Sequence, residues 1–403
     1  VSRWLCSLIG AREHYAIPRA LQRAGVLDTF FTDFWAGPAV RRLRIGKLRA
    51  LAARYHPDLA KARVLSWNLR ALVWDAHLRR CARRGGESDR YRGFVEVGRR
   101  FSRQVRGALV RHDLRGAIFY GYDTGSLETM AWLRERGVPC ILNQVDPARV
   151  EDALVREEEE LWPGWSTGPT SVPEEHFARR EQEWALADRV VVNSEFSRAA
   201  LVAQGVPAAK LRVIPLCYEP GAALAQDETP AKSRAPLTVL FLGQVILRKG
   251  IPYLLEAARM LPQVRFEVVG PIGISAVAVA RAPSNLRFHG RATRDQLTAW
   301  YSRSDVFVLP TISDGFAVTQ IEALAHGLPV IATTSCGDVV SDGRDGFVVP
   351  PRRPDLIAQA ILRYLDEPEL LCQHRAAALR KAEQFGFARL TASLLALGEE
   401  LKK

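Results

Sequence analysis

Paired cysteines are missing from this chain of 403 residues. Its six, at positions 6, 81, 140, 217, 336 and 372, never form a C-x-x-C, which argues against a zinc ribbon or a disulfide framework and for a reducing compartment. The eight histidines are equally scattered, with no two at metal-ligand spacing. No run approaches the roughly 18 apolar residues that a membrane-spanning helix needs. The opening segment VSRWLCSLIGAREHYAIPRAL carries an apolar patch too short, and too soon followed by charge, for a secretion signal, so a cytoplasmic location is expected. Zinc-finger and RNP signatures are missing too, and with them the support for nucleic acid as a partner.

What is present is an ordinary globular composition, 48% hydrophobic and 25% charged, in a chain long enough for two or three domains. The charge is unevenly placed. Between Arg41 and Arg115 stand 21 Lys or Arg against six Asp or Glu, a local excess larger than the net +12 of the whole chain. The sequence interleaves them with Trp67, Trp74, Tyr91, Phe94 and Phe101, just after Trp35. Such a stripe suits an anionic membrane surface or a phosphate-bearing acceptor, and equally a set of solvated helix faces.

Apolar strand-like runs alternate with amphipathic stretches, which predicts parallel sheets covered by helices. In the first half the strands fall at 4–9, 117–120, 139–145, 189–193 and 211–215, with a long basic helical insert between the first two. Residues 222–236, AALAQDETPAKSRAP, read as a linker. A second sheet then takes 237–242, 265–269, 286–289, 305–309, 329–332 and 346–349. The expected organisation is a first domain over 1–221, the linker, a second domain over 237–375 and a helical segment over 376–403 that packs back on the first domain. The fold class is α/β, two doubly wound Rossmann-like domains facing a cleft, where ligands meet the carboxyl ends of the strands.

The stretch TISDGFAVTQIEALAHGLPVIATT sets two carboxylates around the start of a short helix. Asp314 precedes it, and Glu322 follows after seven intervening residues. Gly315 permits a tight turn, which leaves the amides of Phe316, Ala317, Val318 and Thr319 without intrahelical acceptors and makes an anion site. Glu322 lies one turn further along, placed for a second polar group of the same ligand. A plain capped helix explains the same residues about equally well. After the strand LTVLFLG comes QVILRKG, where Arg248 and Lys249 offer positive charge to a phosphate.

These segments resemble retaining glycosyltransferases of family four, the "glycosyl transferases group 1", with the two-domain GT-B fold. The likeness is carried by FLGQVILRKGIPYLLEAARML, DVFVLPTISDGFAVTQIEALAHGLPVIAT and CGDVVSDGRDGFVVPPRRPDLIAQAI, and more loosely by ADRVVVNSEFSRAALVAQGVPAAKLRVIP and LIGAREHYAIPRALQRAG. It implies a donor diphosphate bound by Gly243, Gln244, Arg248, Lys249 and the amides of Gly315 to Thr319, with Asp314 at the donor sugar, Glu322 on the ribose and both carboxylates catalytic. Gly10, His14, Gln144 and Asp146 are the candidates on the acceptor side. Three positions depart from the family pattern. Gln244 stands where an Arg is usual, Asp314 is one methylene shorter than the usual Glu, and CILNQVDPA has no His, leaving Asn143, Gln144 or Asp146 in its place.

The resemblance further implies a metal-independent hexosyl transfer from a UDP-, GDP- or ADP-sugar to a saccharide or lipid-linked acceptor, without a cofactor, in envelope polysaccharide or glycolipid synthesis. The basic stretch would hold the enzyme peripherally on the inner membrane face. The alternative is a non-catalytic sugar-nucleotide or membrane-binding module.

Overall fold

The computed structural model describes residues 3–38, 40, 51–168, 171–219 and 236–402. Two parallel sheets form the frame. The first contains β1 (Arg3–Leu8), β2 (Leu27–Thr32), β3 (Val64–Ser66), β4 (Ala117–Tyr122), β5 (Cys140–Asn143), β6 (Arg189–Val192) and β7 (Leu211–Val213), in the order β3-β2-β1-β4-β5-β6-β7. The second contains β8 (Thr238–Leu242), β9 (Arg265–Val269), β10 (Leu286–Gly290), β11 (Val306–Leu309), β12 (Val330–Thr333) and β13 (Gly346–Val349), in the order β10-β9-β8-β11-β12-β13. Central strands such as β4, β8 and β11 are buried at every position, as parallel strands covered on both faces must be. In each sheet the strand order reverses once, between β1 and β4 and between β8 and β11, and these switch points place the ligand crevices.

Several expectations are corrected. The stretch between the first two expected strands is not all helix, because β2 and β3 lie within it. The basic helical stretch Asn68–Leu109 is doubled back on itself. Gly86 turns there with φ +66°, a conformation that favours glycine. The doubling brings Trp74 within 6.4 Å of Phe101, ring to ring, and a Cβ on Gly93 would lie 2.9 Å from Leu78. Its aromatics are not interleaved with a charged surface: Trp74 and Phe101 are buried against the first sheet, while Arg70, Arg79, Arg80, Arg83, Arg90 and Arg92 are exposed. Residues 41–50 of the basic region 41–115, and the linker expected at 222–236 up to residue 235, fall outside the described residues.

The boundary expected at 375/376 falls inside the helix Pro368–Glu383, which packs through Leu371 and Ala378 into the second core. After the break at Gly386, the helix Phe387–Glu400 carries Leu390, Leu394 and Leu397 into the first core beside Trp4 and Ile118. The exchange runs both ways, because Trp165 is buried in the second core. Beside it the Trp162 indole N–H donates to Tyr253 Oη at 3.1 Å, and Tyr253 donates to Glu158 Oε2 at 2.9 Å. Arg352 Nε reaches the same Glu158 carboxylate at 2.6 Å. Buried polar groups joined across two domains in this way fix their relative orientation.

Candidate active site

At the second switch point, β8 ends at Leu242 and the chain passes Gly243 and Gln244 into a tight turn, Leu247–Lys249. β11 ends at Leu309, and the loop after it leads into the helix Val318–Ala325. That helix begins at Ala317 with no side-chain cap, so its first amides are left for a ligand. The turn before it is anchored by Phe316, which is buried among Gly337 and Phe385. Gly315 is needed for a different reason from the one expected. Its φ is not in the left-handed region, but a Cβ there would lie 2.6 Å from the Val145 carbonyl and 2.9 Å from Asn193 Nδ2, both in the first domain. The turn and the first domain are in direct contact.

Lys249 Nζ pairs with the Asp314 carboxylate, which also accepts the Phe316 amide. Burial opposes ionisation of Asp314, but Lys249 and then Arg248 outweigh it and hold the carboxyl below its ordinary range. Arg248 is not free for a phosphate. Its Nη1 donates to Glu151 Oε2 at 3.1 Å and to the Ser313 carbonyl at 2.8 Å. Glu151, from the first-domain helix Arg149–Leu161, also accepts from Ser313 Oγ at 3.0 Å, and burial pushes its carboxyl up to about 7 against the pull of Arg248. Glu322 sits partly exposed on the helix Val318–Ala325, where the buried Tyr301 donates to its Oε2 at 2.8 Å. Tyr301 in turn stacks on His326, centroids 4.6 Å apart.

The acceptor-side candidates do not all converge. Gln144 is fully buried and committed: Trp184 Nε1 donates to its Oε1 at 2.8 Å, and its own Nε2 donates to the Asp146 carbonyl at 2.9 Å. Asn143 donates to Tyr120 Oη at 3.0 Å. Gly10 is tied through its amide to Asp33 at 2.9 Å, and His14 is an exposed member of a left-handed turn; neither lines the cavities described next. Asp146 does line them.

A cleft cavity of about 420 Å³ is shared by Asp146, Glu151, Arg180, Gln244 and Arg248, so it draws on both domains. A second, of about 390 Å³, lies at the switch point of the first sheet. Both are reached by His176 and Arg180, from the helix Glu174–Leu186. Along that helix His176, Arg179, Arg180 and Glu183 form one buried polar stripe. Arg180 Nη2 bridges Asp123 at 2.5 Å and Asp146 at 2.7 Å. Arg179 donates to the Thr124 carbonyl at 2.7 Å and forks onto Glu128, while Glu183 accepts the amides of Thr124, Ser126 and Leu127 at 2.6, 2.9 and 3.0 Å. The loop after β4 is therefore held rigidly. Burial and the neighbouring Arg180 push His176 down to about 4, so its imidazole is neutral at neutral pH. Sequence reasoning missed this set, though the signal was there: H-x-x-R-R-x-x-E is the i, i+3, i+4, i+7 spacing of one helix face.

Two parallel Rossmann-like sheets whose switch points face one cleft define a GT-B architecture. Within it, residues 236–367 match the family model of the glycosyl transferases group 1. The chain is similar to D-inositol 3-phosphate glycosyltransferase of Streptomyces griseus, 28% identical over 304 residues, a match that covers 64% of this chain and 61% of that protein. A second relative of the same description, from Catenulispora acidiphila, is 26% identical, with 66% of each chain covered. The match to the Streptomyces relative thus spans about three-fifths of its length. Among solved structures, sucrose-phosphate synthase from Thermosynechococcus elongatus superposes with a TM-score of 0.64 at 18% identity, over 100% of this chain and 99% of that one. HepE from Anabaena in complex with UDP gives 0.62 at 13%, over 99% and 100%. At these identities the structures speak for the fold.

Proposed function

We propose that the protein transfers a hexosyl group from a nucleoside-diphosphate sugar to an acceptor hydroxyl, with retention at the anomeric carbon. The observation that carries this reading is the gathering, at one strand end of the second domain, of an uncapped helix start, Lys249 with Asp314, and Glu322 held by Tyr301. In this reading the amides of Ala317, Val318 and Thr319 and the ammonium of Lys249 meet the diphosphate, and Glu322 receives the ribose hydroxyls. As the bond to the sugar breaks, charge gathers on the leaving diphosphate, and donors already aimed there stabilise it more than the ground state. No step asks for a metal ion. Asp314, paired with Lys249, is set to contact the sugar. The acceptor enters from the first domain, and closure of the cleft excludes water. The UDP complexes among the similar structures make UDP-sugars the first donors to try. GDP- and ADP-sugars follow.

The test is calorimetric. Purified protein titrated with a panel of nucleotide sugars is expected to bind one of them and to lose that binding in Glu322→Ala. Full affinity in the variant sinks the assignment. A second reading, a module that binds the donor without turnover, draws on one observation: residue 244 is Gln and Arg248 is held by Glu151, so Lys249 alone among these positions offers the diphosphate a cation. Release of the nucleoside diphosphate in the presence of acceptor decides between the two.

A further inference from the structure

The cavity of about 390 Å³ at the first switch point has two unlike walls. One is apolar, made by Ile9 and by Leu78, Tyr91, Phe94, Val97 and Phe101 from the doubled-back helical stretch. The other is polar and holds four side-chain atoms that are buried and have no hydrogen-bond partner in the protein: Ser7 Oγ, Tyr122 Oη, His176 Nδ1 and Arg180 Nε. Their residues are only 2%, 4%, 6% and 3% exposed. Seven such atoms occur among the described residues, and four of them belong to residues that line this one space. A buried donor or acceptor left unsatisfied costs about 1–3 kcal/mol, so four on residues around one cavity are a reason to look for a hydroxylated ligand there.

The charges exclude one large class of such ligands. Arg180 is spent on two carboxylates, Asp123 and Asp146, and Arg12 at the wall is the one other cation that lines the space. Two cations facing two carboxylates leave no positive excess for a phosphate. The imidazole of His176, neutral at neutral pH, adds none. The apolar wall, with three aromatic rings, meanwhile asks for hydrocarbon or ring surface.

Building on the transfer reading above, we propose that this cavity takes an uncharged acceptor, a hydroxyl-bearing head joined to an alkyl or aryl group, and disfavours acceptors whose head carries a phosphate. The head meets Ser7, Tyr122, His176 and Arg180, and the apolar group lies on Phe94 and Tyr91.

The test uses the full chain and a panel of p-nitrophenyl hexosides, the matching free hexoses and the matching hexose phosphates, each titrated by calorimetry. At least one aryl hexoside is expected to bind ten-fold or more tighter than its free sugar and its phosphate, and Phe94→Ala to remove most of that preference. Tyr122→Phe supplies the second readout. Deleting an orphan hydroxyl is expected to raise the melting temperature of the free protein while weakening the hexoside at least five-fold, whereas a hydroxyl with a purely structural role would lower the melting temperature. Failure of every aryl hexoside to bind, tighter binding of the phosphates, or a Phe94→Ala variant of unchanged preference overturns the proposal. Nucleotide-sugar turnover measured alongside separates the two readings: transfer to phosphorylated acceptors alone refutes this proposal and leaves the transfer reading standing, and hexoside binding without any donor binding does the reverse.

Discussion

Gly315→Ala adds one methyl group at the point where the domains touch, and the structure gives the size of the insult. The new Cβ would lie 2.6 Å from the Val145 carbonyl oxygen, and carbon and oxygen settle at about 3.3–3.6 Å even in close contacts. Roughly 0.7 Å or more must therefore be found. Asn193, at 2.9 and 3.0 Å from the same point, cannot swing aside cheaply, because its Nδ2 donates to Val145 and its Oδ1 accepts from Ser197. The turn is equally fixed, by the Asp314 amide on Ser335 and by buried Phe316. Rigid-body opening of the cleft is the cheapest relief. Overpacking of this kind costs about 1–3 kcal/mol, which lowers the closed population by about 5- to 150-fold.

Donor affinity should change less than about three-fold, since the donor contacts lie on one domain, while the rate of sugar transfer should fall by the range just given. Small-angle scattering should show a larger radius of gyration. Gly107→Ala, where a Cβ meets nothing within 4 Å, is the control. Unchanged transfer with an unchanged scattering profile would refute the reasoning. So would lost donor binding without opening, which would place the effect in the turn itself.

Tyr301→Phe removes the hydroxyl that holds Glu322, and the loss of one such bond, about 1–1.5 kcal/mol, should lower the melting temperature and, if that bond orients Glu322 for the ribose, weaken a UDP-sugar by about five- to ten-fold; equal affinity would show that Glu322 needs no orientation. His176 gives a pH signature. Its folded-state value of about 4 lies below the ordinary 6.5, so the unfolded chain binds the extra proton and stability is lost as pH falls from 6.5 towards 4, by up to about 3 kcal/mol. Urea unfolding of the wild type and His176→Gln should therefore converge or cross between pH 7.5 and 4.5, and parallel profiles would deny the shift. Leu69 and Val73 are exposed beside Arg70, Arg80 and Arg83, none of which has an ion-pair partner among the described residues. The chain should sediment with vesicles containing anionic lipid, release at high salt, and lose affinity in Leu69→Ser; binding indifferent to lipid charge would discard the membrane assignment.

The second domain was legible because its strands are short apolar runs closed by turn residues. RFEVV and GFVV fall where the spacing put them. The first domain was legible only at its centre. β2, LDTFFT, has Asp28 and Thr29 directly after Leu27 and shows no clean period, and β3 is three residues long, so both vanished into a stretch read by its charge. The hairpin at Gly86 was invisible for the same reason: helical periodicity reports a face and is blind to a reversal between two helices. At the site, sequence showed the groups that meet a ligand and missed those that hold them. Tyr301 stands 21 residues before Glu322, and Glu151 stands 97 before Arg248. No local pattern links such positions.

Those partners change the electrostatic argument. In sequence, Arg248 stands ready to replace the arginine that Gln244 does not supply, and in the fold it is neutralised across the cleft by Glu151. Lys249 is matched by Asp314, and Arg180 is over-matched by Asp123 and Asp146. The cleft thus spends its cations on its own carboxylates, and a diphosphate arriving there gains little from point charges. What remains uncommitted is the helix start at Ala317, whose amides carry a fixed partial charge that no side chain can quench. Glu151 is the one carboxylate of these whose value is pushed up to about 7, so near neutrality a proton can replace the charge it lends to Arg248. Arg248 also donates to the Ser313 carbonyl, so the first domain, through this single acid, orders the turn beside the donor helix of the second.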